Sequence, residues 1–110
     1  ELSNHLKLVG DKDASLAVLE FMEEWWPMNA IVANNLAQLY LYEFKNYILA
    51  EKYLLEAIKR QTTQVVFYLN AYEFYRYVLK DDAKAKAVLE EGKKVNPGDA
   101  PAFDKYLESF

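Results

Sequence analysis

The sequence predicts an all-α fold: a solenoid of antiparallel helix pairs with about three and a half repeats and seven helices. The first observation behind this prediction is that similar residues recur every 35 positions. The second is that apolar residues recur at helical spacing within each period. The third is a composition with 3 Gly and 3 Pro among 110 residues, which leaves little room for loops.

The period appears in residues of several chemical types. Asn35 and Asn70 share one phase of it, and Pro27 and Pro97 are two periods apart. The other residues in register are Tyr40, Tyr75 and Phe110, Tyr42 and Tyr77, Ala50 and Ala85, and Leu19, Leu54 and Leu89. Such a period is typical of solenoids, because each unit buries its apolar face only against its neighbours.

Each period contains two predicted helices. Val32, Leu36 and Tyr40 share one face of the first helix, and Ala50 and Leu54 share one face of the second. The seven helices are predicted at about 2–9, 13–25, 29–43, 47–61, 64–79, 82–95 and 99–109. Residues 1–110 form one predicted domain, with units at about 1–28, 29–63 and 64–98 and a closing helix at 99–110.

Residues that cap helix N-termini also follow the period. Asn and Asp side chains accept hydrogen bonds from the free N–H groups of a first helical turn. Asn29 and Asp99 are favoured caps, whereas Gln64 at the same phase is not. The predicted cap positions are Asp11, Asn46 and Asp81 before the second helix of each unit, and Asn29, Gln64 and Asp99 before the first.

Composition excludes several classes of function. The net charge is −4, so the chain lacks the basic surface that supplies most nucleic-acid affinity, and binding to anionic lipid is disfavoured as well. No apolar run approaches the roughly 18 residues that a membrane span needs, and no signal-peptide pattern is present. We therefore expect a soluble protein without membrane insertion, with the cytoplasm favoured over the periplasm or secretion. The chain starts at Glu1, which suggests an excised domain or a processed form.

The residues in register also follow the pattern of a known family. In the second unit they are Ala33, Leu36, Ala37 and Tyr40, then Ala50, Leu54 and Ala57, and in the third Tyr68, Ala71, Tyr72 and Tyr75, then Ala85, Leu89, Gly92 and Pro97. This pattern resembles the tetratricopeptide repeat family over essentially the whole chain. The resemblance implies a right-handed superhelix of helix pairs that serves as a protein-protein interaction module or scaffold.

Two features depart from the family pattern. The period is 35 residues rather than the usual 34, and we place the extra residue in the turn inside each unit, near 44–46 and 79–81. Tyr72 stands where the pattern has a small residue, so the helices there are expected to splay or the ring to point outward. The same period fits the pentatricopeptide RNA-binding family, whose basic groove the acidic composition argues against.

The resemblance implies that the first helices of successive units line a concave groove. The predicted groove residues are Ile31, Asn34, Asn35, Gln38, Tyr42, Val66, Leu69, Asn70, Glu73 and Tyr77. The closing helix continues this face with Asp104, Lys105 and Glu108. Asn35 and Asn70 are placed to hold the backbone of an extended peptide, because an amide side chain both donates and accepts hydrogen bonds. Packing and solubility explain the same asparagines equally well.

The predicted groove is mildly acidic. Some members of the family grip a terminal carboxylate with paired cations, but Val66 and Asn70 stand where that pair is needed, which disfavours this mode. Glu73 together with Asp104 and Glu108 favours a basic or neutral segment, with Lys105 and Arg76 giving local relief.

Aromatic residues divide into core and surface by phase. Trp25 and Trp26 are adjacent, so both cannot face the same core. In one interpretation Trp25 packs and Trp26 covers the next helix, and in the other Trp26 and Met28 form a contact patch. Tyr40, Tyr53, Tyr68 and Tyr75 are in core phase, whereas Tyr42 and Tyr77 point to the groove.

No set of residues predicts catalysis or metal binding. His5 is the only histidine, and its phase indicates packing. The chain has no Cys, no Gly-rich phosphate loop and no nucleophile with an imidazole beside it. We expect no enzyme activity, no cofactor and no metal site.

The sequence leaves two functions open. The first is a module that binds a protein or peptide segment in the groove. The second is a structural module that self-associates or packs against the rest of a larger protein, because the closing helix has no partner. The apolar edge expected there, and a homo-oligomer through it, would use Phe103, Tyr106, Leu107 and Phe110.

Overall fold

The computed structural model describes residues 11–110 and is all-helical in that range. Its six α-helices are α1 Asp11–Trp25, α2 Ala30–Leu39, α3 Tyr47–Arg60, α4 Val65–Glu73, α5 Asp82–Val95 and α6 Ala100–Leu107. Short π-helical segments, π1 Tyr40–Phe44 and π2 Phe74–Val78, extend α2 and α4, and a 3₁₀ turn at Pro97–Asp99 precedes α6. The predicted helix at 2–9, His5 and the side chain of Asp11 lie outside the described residues.

The predicted all-α class is confirmed, and six of the seven predicted helices fall within the described range. Counting the π segments with the helices they extend, each observed bound lies within two residues of the predicted one. The chain divides into two compact units; the first ends at Ala57 and the second is Ile58–Phe110. Within the units, successive helices pack as antiparallel pairs: α1 with α2 in the first, and α5 with both α4 and α6 in the second. Within residues 11–110, no helix has the length and apolar character needed to cross a bilayer.

The residue by which the period exceeds 34 was predicted in the turns near 44–46 and 79–81. The structure has it slightly earlier, in the π segments that end α2 and α4. The helices α2 and α4 each change from α to π in their last turn, at Tyr40 and at Phe74. The backbone N–H of Leu79 donates to the carbonyl oxygen of Phe74 at 3.0 Å, five residues back, as a π turn requires. A π turn holds one residue more than an α turn, so it absorbs the insertion within the helix instead of lengthening the loop.

The two helix ends after the π segments have the same local geometry. Lys45 and Lys80, one period apart, are the non-glycine residues with positive φ in the described chain, at 54° and 57°. Both follow a helix end where a left-handed residue reverses the chain. The N–H of the next residue then returns to the helix, from Asn46 to the Tyr40 oxygen at 2.9 Å and from Asp81 to the Tyr75 oxygen at 2.8 Å.

Two of the three predicted caps of second helices, Asn46 and Asp81, are confirmed, and the predicted cap of a first helix at Asp99 is wrong. Asn46 Oδ1 accepts from the Leu49 N–H at 3.1 Å, and Asp81 Oδ1 accepts from the Lys84 N–H at 3.0 Å. Asn29 caps α2 through Ile31 and Val32 at 2.8 and 3.1 Å. Asp99 makes no side-chain capping bond. The second residue of α6 is Pro101, which has no N–H to donate.

The core of the first unit lies between α2 and its neighbours. The buried face of α2 continues into π1, where Tyr40 stacks on the half-buried Tyr53 of α3 with ring centroids 5.8 Å apart and an interplanar angle of 11°. The buried residues of this unit are Ala30, Val32, Ala33, Leu36, Ala37, Tyr40, Leu41, Ala50, Leu54 and Ala57. Small residues make up half of this list, which lets the backbones of packed helices approach closely.

Phe103 is the centre of the second core. It is 0% exposed and packs edge-to-face on Tyr68 with centroids 5.7 Å apart. Its ring also fills the space over Gly92, where an added Cβ would lie 2.5 Å from the ring. The prediction that Phe103 forms part of an exposed apolar edge is therefore wrong: α5 and α4 already cover it.

Candidate functional site

Five of the predicted groove residues belong to the first of the two compact units, which ends at Ala57. They lie along one side of α2 and π1. Ile31, Asn35 and Tyr42 are exposed there, while Asn34 and Gln38 are half-buried. Tyr42 lies in π1, one residue after the buried Leu41. These residues form an accessible surface of amides and apolar side chains in the first unit.

The other five predicted groove residues belong to the second compact unit, Ile58–Phe110, and lie on α4 and π2. Val66, Glu73 and Tyr77 are exposed, while Leu69 and Asn70 are half-buried. Two of them contribute to a single cavity of about 310 Å³. The cavity is lined by Tyr72, Glu73, Arg76, Tyr77, Lys105, Tyr106 and Ser109. The structure thus brings Glu73 and Tyr77 together with Lys105, which the predicted groove face also included.

Arg76 is at the centre of this cavity wall. Its Nη1 donates hydrogen bonds to the Tyr72 hydroxyl at 2.9 Å and to Ser109 Oγ, and its Nη2 donates to the Ser109 carbonyl oxygen at 3.2 Å. The guanidinium also lies over the ring of Phe110, 4.3 Å from the ring centroid. Arg76 therefore links π2 to the residues that follow α6.

Tyr72 is buried and forms the floor of the aromatic cluster. Its ring packs on Tyr106 with centroids 5.2 Å apart, on Phe110 at 6.2 Å and on Tyr77 at 6.3 Å. The expectation that this ring points outward is wrong, because α6 supplies aromatic partners that bury it. The cluster accounts for a large residue at a position where the family pattern has a small one.

The hydroxyl groups of Tyr72 and Tyr77 are electrostatically linked. Burial raises the pKa of Tyr72, but its hydrogen bonds with Tyr77, Arg76 and Ser109 outweigh burial and bring that pKa below the ordinary 10.0. The hydrogen bond with Tyr72 raises the pKa of Tyr77. The pKa values of the two phenols therefore shift in opposite directions, beside the charged side chains Arg76, Lys105 and Glu73 that also line the cavity.

The charge around the cavity differs from that expected of the groove as a whole. Two cations, Arg76 and Lys105, line it with one carboxylate, Glu73. Asp104 is drawn into an ion pair with Lys93 of α5 at 2.7 Å. The acidic character predicted for this face is thus locally reversed at the cavity.

Comparison with known proteins gives no match. No family model fits the chain, and no curated protein or solved structure is significantly similar to it.

The tryptophan pair lies on the surface. Trp25 is 65% exposed and Trp26 is 54% exposed, so the interpretation in which Trp25 packs into the core is wrong. Met28, in the same turn between α1 and α2, is also exposed. Trp25 contacts Phe21 on α1 with ring centroids 5.9 Å apart, which makes this end of the helix an apolar surface.

A second cavity lies where α5 meets α6. It has a volume of about 400 Å³ and is lined by Glu90, Lys93, Lys94, Pro97, Ala100 and Leu107. Of the residues predicted to form an apolar edge, Leu107 and Tyr106 are half-buried and Phe110 is exposed. Within residues 11–110, no group of three or more His, Cys, Asp and Glu residues has a geometry suited to a metal ion.

Sequence reasoning missed the most connected residues of the site. Tyr72 and Ser109 were not predicted groove residues, and Arg76 was credited only with local charge relief. The π turn explains part of this omission, because it shifts the helical phase at Phe74 and so changes which side of the helix Arg76 and Tyr77 occupy. The position of Ser109 depends on the course of the chain after α6, for which the sequence carries no signal.

Proposed function

We propose that this chain is a tetratricopeptide-like interaction module that binds an extended segment of a protein or peptide in a groove formed by the first helices of its units. The observation that carries the proposal is the cavity in which Glu73 and Tyr77, expected to meet a ligand, are gathered with Lys105. A concave, largely aromatic site with a few charged groups is typical of ligand recognition. No catalytic role, metal, cofactor, nucleic acid or membrane insertion forms part of this proposal.

The repeated local geometry supports the fold on which the proposal rests. The left-handed Lys45 and Lys80 and the caps at Asn46 and Asp81 recur with the same bonds one period apart, and a π segment precedes each lysine. Tandem copies of one helical hairpin account for this recurrence, and such copies stack as a right-handed superhelix in the family that the sequence resembles.

Within this groove we assign two roles. Asn35 and Asn70 hold the backbone of the ligand through their side-chain amides. Tyr42 and Tyr77, which lie in the two π segments, provide exposed aromatic surface for its side chains. The remaining groove residues, which shape the rest of the surface, are Ile31, Asn34, Gln38, Val66, Leu69 and Glu73.

The proposal is tested by capturing partners with the wild-type chain and with the double variant Asn70→Ala/Tyr77→Ala. We expect the double variant to lose the captured partner while its melting temperature stays nearly unchanged. A control variant, Lys86→Ala/Glu91→Ala, changes exposed residues of α5 outside the cavity and should retain the partner. Capture that survives the groove substitutions would contradict the proposal.

A second candidate is self-association or packing against the rest of a larger protein. The observation that favours it is the cavity between α5 and α6, where Leu107 and Pro97 form an apolar wall. Sedimentation at increasing concentration tests it, and substituting Leu107→Asp should reduce any association. A monomer at all concentrations would exclude self-association. The exposed Trp26 and Met28 form a further candidate contact patch in the first unit.

A further inference from the structure

The residues that follow α6 already occupy part of the proposed site. The helix ends at Leu107, and Ser109 and Phe110 then lie across π2. Arg76 binds Ser109 through its side-chain and carbonyl oxygens and stacks on the Phe110 ring. The chain therefore presents to Arg76 an acceptor group followed by an aromatic ring, which are the features of a peptide ligand.

We propose that the Arg76 cavity is a subsite for an aromatic side chain of the bound segment, and that Ser109 and Phe110 are an internal occupant that this segment displaces. The inference rests on the proposed peptide-binding function and specifies its ligand. The ligand is an extended peptide in which a residue offering oxygen acceptors to Arg76 is followed by an aromatic residue. Its ring replaces that of Phe110 against Arg76 and Tyr72.

The composition of the site supports an aromatic ligand. Tyr72, Tyr77 and Tyr106 line the cavity beside the Arg76 guanidinium, and an aromatic ring gains both edge-to-face contacts and a cation-π interaction there. The cavity of about 310 Å³ has room for further groups of a bound segment. The two cations of the cavity wall favour a segment that is neutral or acidic next to its aromatic residue.

The internal occupant is held by contacts that can be exchanged. Ser109 is exposed, and so is Phe110, at 43%. Their backbone N–H groups bond only to the last turn of α6, to the oxygens of Tyr106 and Leu107 at 3.2 and 3.3 Å. Moving residues 108–110 aside would leave the buried Phe103 and Tyr72 in place. A competing segment therefore has to replace only the contacts that the exposed Ser109 and Phe110 make with Arg76, and the core stays closed.

The test uses the acetylated and amidated tripeptide Glu-Ser-Phe, titrated into the wild-type chain and into Phe110→Ala while amide resonances are followed by NMR. Removing the internal ring raises the fraction of molecules with an open subsite, so we expect the variant to bind the tripeptide at least about threefold more tightly. The shifts should map to Arg76, Tyr77 and Lys105. The tripeptide Glu-Ser-Ala should cause no comparable shifts.

Two controls make the outcome decisive. Leu55→Ala removes an equally exposed apolar side chain, also 43% exposed, from α3 and should bind like the wild type. If Phe110→Ala does not fold, Ser109→Ala replaces it, because it keeps the ring and removes one acceptor of Arg76. Equal binding by the wild type and the folded variant, or equal binding of the Phe and Ala tripeptides, would overturn the inference.

Failure of this inference can be told from failure of the proposed function. If Asn70→Ala/Tyr77→Ala loses the partner but Phe110→Ala binds the tripeptide no better, the groove functions without an aromatic subsite. If tripeptide binding strengthens in Phe110→Ala while partner capture ignores the groove residues, the subsite exists but does not serve the proposed partner.

Discussion

The side-chain amide of Asn96 donates a hydrogen bond of 2.8 Å to the carbonyl oxygen of Thr62. The same oxygen accepts the Tyr68 hydroxyl at 3.0 Å. Apart from tyrosines, Asn96 is the one buried polar residue in the part of the chain whose burial is described, with 7% exposure. One carbonyl in the turn before α4 is thus tied both to α4 and to the end of α5.

This bond predicts that Asn96→Ala lowers the free energy of unfolding by about 0.5–1.5 kcal/mol, because the Thr62 oxygen loses one of its two donors and keeps the Tyr68 hydroxyl. Asn96→Asp should cost more, since a carboxylate there offers no amide donor and faces a carbonyl oxygen. Urea unfolding followed by circular dichroism measures both effects. The exposed Gln61→Ala, in the same turn, serves as the control and should lie within about 0.5 kcal/mol of the wild type.

Gly92 predicts a second effect on stability. An added Cβ would lie 2.5 Å from the Phe103 ring and 3.0 Å from Tyr68, and both rings are buried. Overpacking of this kind costs about 1–3 kcal/mol. It should exceed the gain of about 1 kcal/mol that alanine brings to a helix interior. Gly92→Ala should therefore lower the unfolding midpoint in urea.

Gly98 provides the matched control for Gly92. Nothing lies within 4 Å of a Cβ added there, and its φ is not positive. Gly98→Ala should be neutral or stabilise by up to about 1 kcal/mol, by restricting the unfolded chain. Combining Gly92→Ala with Phe103→Leu should recover part of the loss, and strictly additive effects would argue against a clash between these two positions.

Burial raises the pKa of Tyr68 and of Tyr40 above the ordinary 10.0. The folded state therefore favours the neutral phenol, and this contribution to stability is complete below pH 10 and is lost as the pH rises through the folded-state pKa. The free energy of unfolding should fall above about pH 10. Tyr68→Phe should be less stable at neutral pH but show a smaller alkaline decrease, measured by urea unfolding across that range. An unchanged slope would contradict the assignment.

Replacing either of the two lysines with positive φ, Lys45 or Lys80, by glycine should increase stability. Positive φ costs an L-residue roughly 1–2 kcal/mol, and glycine avoids most of that cost. Lys80→Gly should therefore raise the melting temperature, and so should Lys45→Gly in the other unit. Lys52→Gly within α3 is the opposite control and should destabilise by about 1 kcal/mol. A decrease in both turn variants would show that the lysine side chains contribute more than the backbone strain costs.

Much of the fold could be predicted because helical phase and capping are local properties. Asn46 and Asp81 cap helices through residues three positions on, so their role is readable from spacing alone. The phase also separated the buried Tyr68 and Tyr75 from the exposed Tyr77.

Other features depend on contacts between distant residues. The ring of Phe103 is buried because Gly92 leaves space for it, and neither residue predicts the other without the packing of α5 on α6. The Arg76 site likewise requires Ser109, 33 residues further along the chain. Asp99 shows that a favourable cap residue alone is not sufficient: Pro101 removes one of the two N–H groups that a cap there could bind, and the backbone of Asp99, at φ −103° and ψ 14°, is not extended as a cap requires.

The π turns matter for anyone who would re-engineer this chain. A binding surface transplanted from a 34-residue helical repeat by sequence alignment would be correctly oriented as far as Leu39 and Glu73, and rotated by one position beyond them. Contacts grafted at Tyr42 and Tyr77 must take that offset into account to remain on the exposed side of the helix.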